Sequence, residues 1–515
     1  MGRRLASTLT VVLTLAASNP AAAQEWIELS TVGGPSVLEF HGFDGDSVAY
    51  DPVANRLILF LPRNIGFANE FSPDPAPTGQ VWVLSNANGL GGTPAWTKLA
   101  TGGSPLPAIH FAATGVYDQA SGRLTVYGGG FFHTSPPLNG SFVLTHANNL
   151  GGSATWSLLS ATGASCFPFG QAGSCTGSNA RLQDSAVYDP ASGRMISFGG
   201  HTAFFFSGMN DTRVLTNANG LGGTPTWLTL ATAGGPPAVR GTHSAVYDAV
   251  SNRMVVFGGW DVKYPSPNFF YNDVWILDGA TGLAGTPTWL PQSPLGAPPS
   301  PRGSHSAVYD AVNNRMLVYG GRLDPTSGSS LFFDEVWELS DANAVSGTPG
   351  WSLLTPAGTG PGPLAAHGAA FDAQSQRMIV VGGRNASGNH QLRVFVLAFV
   401  REVAIDIKPG SDPNCFNNDG RGVIPVAILS SADFDATAVD PSSVSLDGQS
   451  VRVVGKKGTA QAHVEDVNDD QLDDLVLQIL DQDGTYTAGT TTAILTGATF
   501  DGRRVRGTDS ICIVP

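Results

Sequence analysis

Short apolar runs that end in Tyr-Asp or Phe-Asp, turn, and resume as a second apolar run opened by arginine recur along most of this chain. The aspartates are Asp51, Asp118, Asp189, Asp248, Asp310 and Asp372, and each is followed five residues later by Arg56, Arg123, Arg194, Arg253, Arg315 and Arg377. The second run closes on a glycine doublet ending at Gly129, Gly200, Gly259, Gly321 and Gly383, whereas the first copy carries Phe60-Leu61-Pro62 in its place. A third run follows a variable loop, as in Val81–Leu84, Val274–Leu277 and Val336–Leu339. A fourth opens on Trp96, Trp156, Trp227, Trp289 or Trp351 after a Gly-Thr-Pro-like turn. Brief apolar segments bounded by Gly, Pro and Asp predict strands, and four strands in each unit of about sixty residues is the pattern of a propeller blade.

The sixth copy ends at Val394–Val400 without a fourth strand, while an unassigned Trp26-Ile27-Glu28-Leu29 precedes the first copy. Joining these two pieces predicts a closed ring with no exposed sheet edge. The glycine doublets, the later tryptophans, the Asn272-Asp273-Val274-Trp275 stretch and the Pro301-Arg302-Gly303-Ser304-His305-Ser306 lead-in resemble kelch repeats. The resemblance covers residues 24–400 and includes the central domain of galactose oxidase. It implies a propeller, but kelch propellers serve as binding scaffolds, as carbohydrate-active domains and as copper oxidases, so it implies no single activity. The expected fold class is all-β: a six-bladed kelch-type β-propeller followed by a small β-sandwich-like domain.

Composition narrows the function classes. Charged residues are 13% of the chain against 64 Gly and 35 Pro, which suits turn-joined strands. A formal net charge of −14 argues against nucleic acid as a partner, since that binding is driven by Lys and Arg neutralising phosphates. Arg3 and Arg4, the apolar stretch Val11–Ala17 and the small residues Ala21-Ala22-Ala23 have the form of a secretory signal over residues 1–23. No later apolar run is long enough to cross a bilayer, so the mature chain is expected to be secreted or periplasmic without membrane insertion. Four cysteines fit an oxidising compartment, with Cys166 and Cys175 stapling one loop and Cys415 and Cys512 closing the last domain.

One polar position per blade, five residues before each aspartate, offers candidate chemistry: Asp46, Asp184, His243, His305 and His367, with Ala113 interrupting the series. Three residues earlier stand Arg181, Arg240 and Arg302, with Leu364 in the sixth copy. If the first strand lines the channel, as it does in kelch proteins, these groups form a polar ring at one mouth able to hold an anion, a sugar or a metal. The structural alternative is that they hydrogen-bond backbone between blades. Loops after the glycine doublets are rich in aromatics: Phe131, Phe132, Phe204, Phe205, Phe206, Trp260, Tyr264, Phe269, Phe270, Tyr271, Phe332 and Phe333. Aromatic faces suit the C–H surfaces of sugars, and equally suit packing between blades. A copper-radical oxidase needs a cysteine crosslinked to tyrosine, and the propeller's cysteines stand as a pair in one loop. No phosphate-cradling loop or nucleophile elbow is present, so no catalytic residue is assigned.

Residues 401–515 are an Asp-rich unit whose opening, Ile405–Asn414 with Gly422–Leu429, is similar to a small domain found at the ends of exported bacterial proteins. Alternating apolar segments at 423–429, 451–454, 475–480 and 492–496 suggest a sandwich. Asp466, Asn468, Asp470, the Leu472 carbonyl and Asp474 offer oxygens at alternate positions, the donor set of a hard cation, and resemble the calcium loops of integrin-type repeats. Gln471 and Leu477 depart from an EF-hand, so the expected role is structural calcium. Two functions follow: an exported propeller that binds an extracellular glycan or protein, or a carbohydrate-active hydrolase, lyase or oxidase centred on the channel mouth.

Overall fold

The computed structural model describes residues 23–35, 47–61, 80–103, 112–129, 140–163, 181–202, 207–261, 269–325, 329–390, 392–417, 420–456, 458–482, 484–487 and 489–514. It divides into two compact units, Gln24–Phe399 with Asp501–Arg503, and Val400–Phe500 with Arg504–Pro515. No described helix is long and apolar enough to cross a membrane.

In the larger unit each Asp-x4-Arg copy is an antiparallel hairpin in which Asp pairs with Arg across the turn, from Asp51 opposite Arg56 to Asp372 opposite Arg377. The first strand of blade 4, Ser244–Asp248, pairs with Arg253–Phe257, then Val274–Asp278, then Thr288–Gln292. Blades 1, 2, 3 and 5 repeat this order. In blade 6, Gly368–Asp372, Arg377–Val381 and Val394–Glu402 are completed by the N-terminal strand Ala23–Leu29. The innermost strands neighbour one another in a closed cycle of six.

The repeated residues are the fasteners of that cycle. The aspartate caps its own turn, as when Val53 and Ala54 amides donate to Asp51. It also accepts from an asparagine of the next blade: Asn148 to Asp51 at 2.7 Å, Asn219 to Asp118 at 2.8 Å, Asn343 to Asp248 at 2.8 Å. The arginine reaches a carbonyl of the same neighbouring turn, Arg56 to Asn148, Arg123 to Asn219, Arg194 to Thr281 and Arg253 to Asn343. Arg377 and Asp372 close the circle on Asn88 of blade 1 at 2.8 and 2.7 Å. Arg315 is the exception: it bonds Asp310, Glu338 and Gln376 and lies 3.7 Å over the Phe399 ring.

Tryptophans fill the gaps between blades. Trp156, Trp227, Trp289 and Trp351 pack on Phe60, Tyr127, Phe198 and Phe257 of the preceding blade at centroid distances of 4.5–5.8 Å. Trp26 continues the series on Tyr319 at 5.3 Å, and its amide donates to Ala357 as that of Trp351 does to Leu295.

The smaller unit has one sheet of Ile405–Ile407, Val423–Ile428, Asp474–Leu480 and Ala462–Glu465, and a second containing Arg504–Ser510, Thr492–Ala498 and Ser445–Leu446, around one apolar core. A disulfide joins Cys415 to Cys512, 97 residues apart, across the parallel strands Cys415–Asn417 and Cys512–Val514. Closing so long a loop restricts the unfolded chain, so Cys512→Ser is expected to destabilise this unit by about 2–4 kcal/mol. A urea midpoint identical to that of the parent would show that the bridge contributes nothing.

Candidate functional site

The innermost strands of blades 2 to 6 are each preceded by a residue in the left-handed region, Ala112, Gln183, Thr242, Ser304 and Ala366, with φ from 52° to 63°. Their backbones form a belt. The amide of Gln183 donates to the Ala112 carbonyl, Thr242 to Gln183, Ser304 to Thr242 and Ala366 to Ser304, at 2.8–3.2 Å. Left-handed geometry is unfavourable for these residues and persists where neighbouring structure over-determines it, as this belt does. The belt and the next residue of each blade, Ala113, Asp184, His243, His305 and His367, wall a cavity of about 120 Å³ at the channel mouth.

The structure therefore brings Asp184 and the three histidines together around one space. They also act between blades: His243 Nε2 pairs with Ser185 Oγ at 2.7 Å, His305 with Ser244 at 2.8 Å, and His367 with Ser306 at 2.8 Å. Asp184 takes the equivalent place by accepting from Thr114 at 2.8 Å, and also accepts from Ser197 at 2.6 Å. The glycine doublets belong to this arrangement. Gly259 has a φ of 95°, and a Cβ there would lie 2.7 Å from that of His243, so only glycine lets the ring residue sit against the neighbouring strand end.

Arg181, Arg240 and Arg302 do not line the cavity. All three are fully buried. Arg240 donates to the Gly258 and Ala238 carbonyls and to both Asp273 oxygens at 2.6 and 2.9 Å. Arg302 repeats this with Gly320, Ser300 and Glu335, and Arg181 with Gly199 and Asp211. The loop aromatics Tyr271 and Phe333 cover Arg240 and Arg302 at 4.2 and 4.1 Å. A guanidinium removed from water must spend its donors on the fold. Leu364, which replaces the arginine in blade 6, keeps the backbone part of the role by accepting from the Gly321 amide, as Arg302 accepts from Gly259.

Burial governs the titration of the ring. Desolvation lowers His305 to about 3 and His367 to about 4, Arg302 and the neighbouring histidine adding to the effect at His305. Desolvation also holds His243 well below the ordinary histidine range, with Arg240 and His305 contributing. It raises the Asp184 carboxyl, against the opposing pull of Arg181 and of the Ser197 and Thr114 hydroxyls. Because the folded histidines sit below their unfolded value near 6.5, their contribution is complete above that pH and is lost as pH falls towards 4 and below. The difference in stability between the parent and His305→Gln should therefore shrink across pH 6.5 to 4. A constant difference across that window would show that His305 does not titrate with unfolding.

Other sequence-derived candidates are placed as follows. Asp46, Cys166, Cys175, Phe131, Phe132, Phe204, Phe205, Phe206 and Tyr264 lie outside the described residues, as do residues 1–22. Trp260 is buried and stacked on Phe270 at 5.6 Å, while Phe269 is 56% exposed beside Tyr271. In the smaller unit, oxygens of Asp466 and Asn468 both accept from the Asp470 amide, at 3.1 and 3.2 Å, and Asp470 accepts from the Leu472 amide. These donors match a hard cation in kind. Asp474 is buried and accepts from the Ser430 and Val467 amides, and among the described residues no three His, Cys, Asp or Glu side chains converge as a metal cluster.

The belt residues and the serine partners of the ring histidines were not among the candidates read from the sequence, although Ser185, Ser244 and Ser306 recur immediately after the ring position. They lacked a signal because small residues at and just before a strand start are common in turns.

Comparison with known proteins bears on the propeller. The profile of the KLHDC2/KLHL20/DRC7 Kelch-repeats domain matches residues 174–343. The chain is similar to acyl-CoA-binding domain-containing protein 5 of Arabidopsis thaliana, 35% identical over 162 residues, covering 32% of this chain and 22% of the relative. It is similar to host cell factor 2 of Homo sapiens, 28% identical over 197 residues, 37% of this chain and 23% of the relative. A solved structure titled Structure of YjhT aligns with 75% of this chain and 98% of its own at a TM-score of 0.46 and 13% identity. The chain thus spans less than a quarter of the length of the curated relatives named. With the matched profile falling on blades 3 to 5, and the same hairpin and tryptophan contacts recurring around the ring, the fold is a kelch-type β-propeller.

Proposed function

We propose that this chain is an exported interaction protein whose propeller binds an extracellular glycan or protein at the channel mouth. One observation carries the reading: five consecutive blades wall a polar cavity there, while the histidines around it are spent on holding blades together and the arginines on fastening the strand ends of their own blades. Among the described residues, neutral histidines and paired arginines leave hydrogen-bonding capacity but no exposed acid–base pair, which favours recognition over turnover. The kelch-repeat profile and the likeness to host cell factor 2 support an interaction role. Residues 1–23 support export, and protein recovered outside the cytoplasm should begin at Gln24.

The enzymatic reading rests on Asp184, a cavity carboxyl whose burial favours the protonated form, as a general acid requires. A glycan array probed with the purified mature chain tests both. Retention of a glycan that is recovered unaltered supports binding. Products that appear with the parent and not with folded Asp184→Asn would establish the enzyme, and an array with no bound glycan would remove the glycan ligand.

The acidic loop is proposed to take structural calcium through Asp466, Asn468, Asp470 and the Leu472 carbonyl, with Asp474 tying it to the sheet. Calcium should raise the urea midpoint of the smaller unit and chelator should reverse the rise. The same midpoint in both conditions would dismiss the metal.

A further inference from the structure

We propose that the propeller face opposite the channel-mouth cavity is a docking surface for a second copy of this chain, formed by the exposed aliphatic tips of its strand-connecting turns.

The cavity lies at the start of the innermost strands, and the Asp-x4-Arg turns lie at their other end. The turns that join third to fourth strands stand beside them, because Asn148, Asn219 and Asn343 of those turns donate to Asp51, Asp118 and Asp248. All the turns of this face fall within the described residues. Two residues beyond the bonded aspartates stand Val53 and Val250, 86% and 95% exposed, and Val312 holds the same place in blade 5. Two residues beyond the bonded asparagines stand Leu150, Leu221 and Val345, with Leu283 at the same place in blade 4, and all four are exposed. Single exposed aliphatics are ordinary, whereas their recurrence on one face marks a site of association.

Charge names the occupant. The chain carries a formal net charge of −14, and apposing like charges opposes the association of two copies. On this face that obstacle is nearly absent. The Asp-x4-Arg turns hold only Pro, Val, Ala, Asn, Gln, Ser and Gly between their ends, and in the turns joining third to fourth strands Asp341 is the one acid, with no Lys or Arg. Bordering arginines are committed to carbonyls of the next blade, as Arg56, Arg123, Arg194 and Arg253 are. Depletion of charge is the mark of an interface core, and a surface that repeats around a ring meets its own twofold image with aliphatic against aliphatic, as an isologous dimer requires.

One seam shows such a tip already in use. Leu90, the blade 1 counterpart of Leu150, is half-buried because Gly502 of the larger unit lies so close that a Cβ there would collide with it. Beside it the Arg503 Nε donates to the Gln374 carbonyl, in the blade 6 turn, at 2.9 Å. The equivalent tips of blades 2 to 5 are exposed and remain for the second copy.

Sedimentation velocity of the mature full-length chain from about 1 to 100 µM, the range over which a modest interface assembles, tests the assignment. The mass should rise from monomer towards dimer, and the double variant Leu221→Glu, Leu283→Glu should weaken dimerisation by about tenfold or more. Leu353→Glu, at an exposed aliphatic on the outer strand of blade 5, should leave it unchanged. Each variant is first checked for the parent urea midpoint, and Val250→Asp takes the place of the double variant if that does not fold. A parent that stays monomeric at the highest concentration would overturn the second copy as occupant, and its co-sedimentation with phosphatidylcholine vesicles would reassign the face to lipid. A dimer that the folded face variants leave intact, or that Leu353→Glu weakens equally, would overturn the face.

Discussion

Trp26→Ala is expected to destabilise the propeller by about 3–5 kcal/mol, the usual loss for a buried tryptophan. Trp26 is buried against Tyr319 of blade 5 and Phe395 of its own blade, at 5.3 and 6.4 Å. Its strand supplies the fourth strand of blade 6, and Glu28 adds a two-point pair to Arg393 at 2.6 and 2.7 Å. That exposed pair adds little by itself. Deleting residues 24–29 should do more than the point change, because the outer edge of residues 394–399 would then stand unpaired and open to intermolecular pairing. Urea unfolding with light scattering measures both effects. A Trp26→Ala midpoint equal to the parent's, or a truncated chain that stays monomeric at parental stability, would mean that the ring is held without its first segment.

Arg302→Leu is the second large effect, at about 2–4 kcal/mol. The guanidinium satisfies the Gly320 and Ser300 carbonyls and Glu335 at 2.7–3.0 Å, and Phe333 lies over it. Removing it orphans buried acceptors. Glu335 is 36% exposed in its side chain and recovers some water, which places the loss below that of a fully buried pair. Leu364 shows that an aliphatic side chain is accommodated at the equivalent position in blade 6, where it is buried. Adding Glu335→Leu to Arg302→Leu should therefore restore part of the lost stability, since replacing both members of a buried pair by apolar groups is far less costly than removing one. Strictly additive losses in the double variant would show that the pair does not act as a unit.

Both effects bear on how much of the molecule was readable along the chain. The Asp-x4-Arg spacing was legible because a hairpin turn fixes its own residues locally: Asp caps the turn and Arg begins the return strand, whatever surrounds them. The destination of the arginine was not legible. Arg56 and Arg253 reach carbonyls some ninety residues ahead, whereas Arg315 turns back on Asp310, Glu338 and Phe399. The polar ring was found as a set of positions, and the structure gathers Asp184, His243, His305 and His367 around one cavity. It sends Arg181, Arg240 and Arg302 elsewhere, because three residues of spacing along a curved lead-in carry no information about which way a long side chain folds back.

Repetition in the sequence by itself determined the class of fold, since each copy carries its own strand pattern and turn residues, and six such copies each need a neighbour to bury their faces. Only the tertiary structure decided which polar residues face open space. Gln183, Thr242 and Ser304 look like ordinary turn residues until the belt of backbone hydrogen bonds places them along the wall of the cavity. The physical reason is range: strand and turn preferences act over a few residues, whereas burial and hydrogen-bond satisfaction at the channel mouth are set jointly by blades about sixty residues apart.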